Sequence, residues 1–351
     1  MTETIAEITG PPRLSPGTAG APAPAPAATR TAYRDALLTL MAADPRVVCL
    51  DTDTGLFSGA DFGATAERYI DLGIAEHTAM NAASGLAASG WRPFVNTMAA
   101  FASARALEAV KINIAYAGQP VRIAATHGGV AAGHLGATHY ALEDLAVMRA
   151  LPNMTVVVPA DAAATAAAVE QTADLPGPLY LRLGRKPTPP LPAAPRPGAE
   201  PPRIGRIQVL RDGADVFFVS CGPHPVLAAL AAAGDLAGTG IAAGVLNAHT
   251  LAPFDTGTLL ERCAGAALVV TVEEHRRAGG LGGAVAETLA DQAPTRMLRI
   301  GLGDGPAVGA GSQDYILERH GLHPAPIAAR VRAAIESGLL VSQATKRRPG
   351  D

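Results

Sequence analysis

Short apolar runs, each answered by an Ala-rich stretch of helical periodicity, recur along this chain and restrict its fold more than any other feature. Val47-Val48-Cys49-Leu50, Phe94-Val95, Val121–Ala125, Thr155–Val158 and Leu179-Tyr180-Leu181 are continuous rather than alternating in polarity. Such strands are buried on both faces. An amphipathic helix begins at Thr29, and further helical stretches fall at about residues 75–89, 99–116, 141–150 and 161–173. Strand, helix and strand in this order predict βαβ units and a mainly parallel sheet.

The pattern breaks at residues 186–203, where prolines crowd with little periodicity, and then resumes. Val216–Val219, Ala242–Leu246 and Ala267–Val272 are the next strands, with helices near 224–234, 255–263 and 281–290. The sequence therefore predicts an α/β protein of two consecutive domains, residues 28–185 and 204–338, joined by a Pro-rich linker. Residues 1–27, with Ala21-Pro22-Ala23-Pro24-Ala25-Pro26, are expected to be a disordered leader, and 339–351 a flexible tail.

Net charge is −3, and the one basic run is Lys346-Arg347-Arg348. A polyanion or membrane surface is thus not an expected partner. Cys49, Cys221 and Cys263 lie far apart in apolar settings and are expected to be buried free thiols. No apolar run reaches the length of a membrane span, and the N-terminal stretch lacks the order of a secretory signal. A cytoplasmic protein is expected.

Asp71-Leu72-Gly73-Ile74-Ala75-Glu76-His77 delivers one carboxylate into the start of a nearly chargeless helix carrying Ala79, Ala82, Ala83, Leu86 and Ala87. Burying Glu76 there is costly unless it is paired, metal-bound or kept protonated for chemistry. Asp51-Thr52-Asp53 supplies an acidic strand end of the kind that lines crevices in open sheets. Three of the nine histidines, His127, His134 and His139, share one Gly-rich loop after Val121–Ala125. The loop holds no cysteine or adjacent carboxylate, so polar substrate recognition suits it better than metal ligation, and its glycines suggest close backbone approach to a bound molecule. Met98 and Phe101, expected on one helix face at i, i+3, suit core packing by composition alone. Gly303-Asp304-Gly305 is expected to be a turn rather than a diphosphate motif, because no asparagine follows Asn247 to complete a metal shell.

Taken in order, Gly73-Ile74-Ala75-Glu76-His77, the loop from Thr126-His127 to His139, Leu183-Gly184-Arg185 and Val219-Ser220-Cys221-Gly222 resemble the C-terminal half of a thiamine-diphosphate transketolase. The resemblance covers about residues 28–338, as a pyrimidine-binding domain followed by a transketolase C-terminal domain. It implies that Glu76 hydrogen-bonds N1′ of the cofactor's aminopyrimidine, where a carboxyl kept protonated by burial favours the imino tautomer that activates the thiazolium carbon. It implies that Phe101 stacks on that ring, with Met98 beside it in the aromatic cluster, and that Asp53 flanks it. His127 and His139 are implied to contact the donor sugar and act in catalysis, and Arg30, Arg185 and His127 to grip a sugar phosphate.

Three departures stand out: Leu135 where the family carries a sugar-reading aspartate, and Met98 and Ala104 where it carries rings. They imply an altered sugar pocket. The larger departure is an absence, since the family's diphosphate half has no counterpart in this sequence. The resemblance therefore implies a split enzyme, with thiamine diphosphate between two subunits, Mg2+ bound mainly by an N-terminal partner subunit, and an α2β2 assembly. The expected reaction moves a two-carbon ketol unit from a ketose, phosphorylated in the expected case, to an aldehyde. The alternatives are a deoxyxylulose-phosphate-synthase-like reaction, the β subunit of a 2-oxo-acid dehydrogenase, or a regulatory subunit without catalysis.

Overall fold

Strand β4 (Arg122–Thr126) is buried at all five residues and lies inside a seven-stranded sheet, as its unbroken apolar run predicts. The computed structural model describes residues 25–172, 175–192, 202–306 and 309–346, without the side chains of 339–346. The first domain runs α1 (Thr29–Ala43), β1 (Val47–Asp51), β2 (Tyr69–Asp71), α2 (Glu76–Ala88), β3 (Arg92–Met98), α3 (Ala99–Ser103), α4 (Leu107–Ala109), β4, α5 (Asp144–Arg149), β5 (Thr155–Val157), α6 (Ala162–Thr172) and β6 (Leu179–Arg182). The second runs β7 (Gln208–Arg211), β8 (Val216–Ser220), α7 (Pro223–Ala237), β9 (Ala243–Asn247), β10 (Thr250–Ala252), α8 (Thr256–Cys263), β11 (Leu268–Arg276), α9 (Leu281–Gln292), β12 (Met297–Leu302), α10 (Gln313–Arg319) and α11 (Pro324–Lys346).

Two mainly parallel sheets result, as the α/β pattern predicts. The first has the order β10-β5-β6-β4-β3-β1-β2 and the second β12-β11-β8-β9-β7. Among the described residues, only the edge strands β10 and β7 run antiparallel to their neighbours. β10 comes from the second half of the chain yet pairs with β5, Thr250 opposite Val157, so the first sheet is finished by residues beyond the linker. One buried cluster accordingly joins Val95, Ile123 and Val156 of the first sheet to Val219, Leu246 and Val269 of the second.

Several expectations shift. The helix expected over 99–116 is broken: the chain leaves helical geometry at Ala104 (φ −121°, ψ −67°), resumes in α4 and widens to a π-helical turn over Val110–Tyr116. Met98 is the last residue of β3 and not on a helix face with Phe101. The described ends of the linker are docked, with the Leu191 amide donating to Asp161 and Ile204 to Gln171. Residues 193–201, and the leader through residue 24, lie outside the described residues; Ala27, at the leader's end, pairs with Thr188. α11 runs on to Lys346, past residue 338 at which the sequence pattern ends the second domain, and 347–351 lie outside the described residues. All three cysteines are free and buried. Gly303 and Gly305 accept hydrogen bonds from Arg276 while Asp304 pairs with Arg277, which gives that turn a structural use. Among the described residues, no helix is long and apolar enough to cross a membrane.

Candidate active site

Parallel strands β1, β3 and β4 direct their C-terminal ends to one side of the first sheet, and loops there build a cavity of about 360 Å3. Thr52, Asp53, Thr54, Ile74, Glu76, Met98, Phe101, Arg105, Thr138 and His139 line it. Five of the residues singled out from the sequence, Asp53, Glu76, Met98, Phe101 and His139, thus share one wall although their elements are far apart in the chain.

Asp53 is set by the turn after β1. Asp51 accepts from the Thr52 amide and from the Thr54 and Tyr69 hydroxyls, and Asp71 accepts from the Asp53 amide at 3.2 Å. Asp53 itself has φ 56°, a left-handed conformation that aspartate tolerates better than most residues. Glu76 opens α2 and is 2% exposed, as the chargeless helix predicts. Its carboxylate is not alone: Arg105 Nη1 lies 3.1 and 3.0 Å from its two oxygens, and the same guanidinium sits 4.5 Å from the centroid of the Phe101 ring. Of the three states that make a buried carboxylate tolerable, the structure shows pairing. His139 meets Phe101 edge-on at 5.2 Å, and its Nδ1 lies 2.9 Å from the Thr138 hydroxyl.

Arg105 is a lining residue, in contact with two of those singled out, that the sequence pattern did not reveal. The expected helix over 99–116 concealed it, because Arg105 stands in the break between α3 and α4.

A second group gathers beside the cavity. Arg30, at the start of α1, donates its amide to the Gly184 carbonyl, and the Gly184 amide donates to Thr29 Oγ1 at 2.7 Å, so α1 and the segment after β6 bring Arg30 toward Arg185. Arg185 Nη1 donates to His134 Nε2, which must accept and therefore carries its proton on Nδ1. Burial, then the nearby Arg30, Arg185, His139 and His134, push His127 down to about 4. Burial and Arg185 likewise lower Arg30. His127 is thus a neutral imidazole at pH 7 inside a cationic patch, suited to donate to or accept from a sugar hydroxyl beside an anion.

Two glycines of the histidine loop have a steric cause in side chains further along the chain. A Cβ on Gly128 would stand 2.7 Å from Arg182 Nε, and one on Gly129 2.5 Å from Glu274 Cγ and Oε1. At these two positions the close approach is to a buried network. Arg182 pairs with Asp144 at 2.8 Å, and Glu274 of β11 accepts from the Val130 amide at 2.8 Å and from Gln313 at 2.9 Å. The second domain therefore braces the loop that carries His127. Leu135 is 51% exposed and does not line the cavity. Among the described residues, no group of three histidines, cysteines or carboxylates could hold a metal ion.

Residues 25–190 match the family model of the transketolase pyrimidine-binding domain, and 205–327 that of the transketolase C-terminal domain. The chain belongs to the transketolase family. It is 39% identical over 314 residues to a 6-deoxy-6-sulfo-D-fructose transketolase subunit from a Clostridium species, covering 88% of this chain and 93% of that one. It is 36% identical over 305 residues to one of the subunits of the apulose-4-phosphate transketolase from Phocaeicola vulgatus, covering 84% and 95%. A solved split-gene transketolase, described as an inactive β4 tetramer, superposes with a TM-score of 0.79 at 42% identity and covers 88% of this chain and 98% of its own. Within the transketolase family this chain therefore corresponds to the C-terminal subunit of the split forms, a transferase component that works with a partner subunit.

Proposed function

We propose that this chain completes a thiamine-diphosphate site with an N-terminal partner subunit that holds the diphosphate and Mg2+, in an α2β2 assembly, and that the complex moves a two-carbon ketol unit from a phosphorylated or similarly anionic ketose to an aldehyde. The observation that carries the reading is the shared wall of Glu76, Phe101, Met98 and Asp53. One aromatic face, an apolar flank and two carboxylates fit a flat nitrogen heterocycle with polar edges, and a cavity of about 360 Å3 admits one such ring. Thiamine diphosphate would supply the carbanion chemistry. Phe101 and Met98 would hold its pyrimidine, Glu76 would hold a proton at N1′, and Asp53 would flank the ring. His127 and His139 would exchange protons with the sugar hydroxyls, and Arg30 and Arg185 would grip the anionic end of the donor, which suits relatives whose names specify a sulfosugar and a sugar phosphate. A cytoplasmic setting suits the three free thiols.

The test is coexpression with the protein encoded beside it, followed by a ketol-transfer assay on ketose phosphates. The pair is expected to be active and the single chain inactive. Glu76→Gln in the pair is expected to lower kcat by about 100-fold or more. Transfer by the chain alone, or an undiminished Glu76→Gln complex, refutes the reading. A second reading comes from a Thermomicrobium roseum 1-deoxy-D-xylulose-5-phosphate synthase, 37% identical over 296 residues, of which this chain spans 45%. Release of carbon dioxide from pyruvate by the pair would select it.

A further inference from the structure

The geometry points to Arg105 as the group that occupies Glu76 and Phe101 until a cofactor ring replaces it there; the inference rests on the reading of that pocket given above. The guanidinium makes two contacts at once, one with the Glu76 carboxylate and one with the face of the Phe101 ring. Those are the same two contacts that the aminopyrimidine needs. Ring and guanidinium therefore compete for Glu76 and Phe101.

The arrangement is built for exchange. Glu76 is 2% exposed, and Arg105 is its one hydrogen-bond partner among the described residues, so a withdrawal of Arg105 without a replacement would strand a buried carboxylate. An entering ring brings its own donor to that carboxylate and its own face to Phe101, which removes the penalty. Arg105 in turn is lightly held. A single nitrogen straddles both oxygens, and its side chain is 50% exposed. Arg105 also stands in the break between α3 and α4, so its backbone is outside a continuous helix. Occupancy of the pocket by Arg105 lowers the apparent affinity for the cofactor by the fraction of time the pocket is open. It also keeps Glu76 and Phe101 covered in the chain before assembly.

The experiment titrates the two-subunit complex, with Mg2+ present, by calorimetry. Thiamine diphosphate is one probe, and inorganic pyrophosphate, which lacks the ring, is the other. Arg105→Ala is expected to bind thiamine diphosphate about tenfold more tightly than the parent and to leave pyrophosphate affinity unchanged. Arg105→Lys, which keeps a charge for Glu76 but loses the planar group over Phe101, is expected to fall between them and serves where the alanine variant folds poorly. Equal or weaker thiamine diphosphate binding by both variants overturns the inference alone. An equal shift for both probes also overturns it, because a change in subunit assembly would then account for the result. Failure of every form, the parent included, to bind thiamine diphosphate more tightly than pyrophosphate sinks the pocket reading together with it.

Discussion

Replacing Gly129 by alanine tests whether the second domain sets the histidine loop through steric contact. Gly129 has φ +67°, and a left-handed alanine costs about 1–2 kcal/mol. Its new Cβ would stand 2.5 Å from Glu274 Cγ and Oε1 and 2.6 Å from Cδ, nearer than atoms approach without displacement. Glu274 is 7% exposed and holds the Val130 amide and Gln313, so it cannot move aside without breaking those bonds. Overpacking of this kind costs about 1–3 kcal/mol. The expected loss for Gly129→Ala is therefore about 2–5 kcal/mol, read from urea midpoints of the folded chain. Glu274→Ala on its own loses the charge-assisted bonds from Val130 and Gln313, about 1.5–3 kcal/mol each, but clears the space. In that background Gly129→Ala should cost only the backbone part. The two substitutions should thus couple by about 1–3 kcal/mol. Additivity within about 0.5 kcal/mol would refute the argument, because the clash would then not be with Glu274.

Asp144→Asn removes the charge paired with the buried Arg182 and leaves one accepting oxygen where two now serve Arg182 and Tyr180; a loss of about 3–5 kcal/mol is expected in the same urea assay. His127→Asn keeps a residue that tolerates the φ of 59° but removes a titration. The folded imidazole titrates near 4 against 6.5 for the free side chain, so as pH falls through that window the unfolded chain binds a proton the folded one does not, and stability drops. The variant's stability should therefore fall less steeply between pH 6.5 and 4, by about 1.4 kcal/mol per pH unit, when unfolding is measured across that range. An identical slope would mean that His127 takes up its proton in the folded state as readily as outside it.

Much of this was legible from residue order. Continuous apolar runs marked β1, β4, β6, β8 and β11 because a strand buried on both faces leaves no polar positions to confuse the period. β2 and β10, each three residues long, carry too short a signal, and β10 joins the other domain's sheet, a choice made by tertiary pairing that no local pattern records. The burial of Glu76 followed from the chargeless helix behind it, whereas its partner Arg105 did not, since the expected helix over 99–116 hid the break at Ala104 that turns the arginine back. The glycines of the histidine loop were visible as a signal, but the side chains packed against two of them were not. Gly128 and Gly129 make room for Arg182 and Glu274, side chains 54 and 145 residues further along, and contacts at that separation are not written in a local motif.

The placement of β10 also bears on how the chain is made. Synthesis runs from the N-terminus, so β5 lacks its outer neighbour from the moment Val157 is joined until Thr250 follows. Throughout that interval the nascent first domain presents an open hydrogen-bonding edge, the kind on which another chain can pair. For the same reason a gene cut at the Pro-rich linker would yield a fragment with a permanently raw margin. Any scheme for expressing the pyrimidine domain by itself must carry Thr250–Ala252 with it.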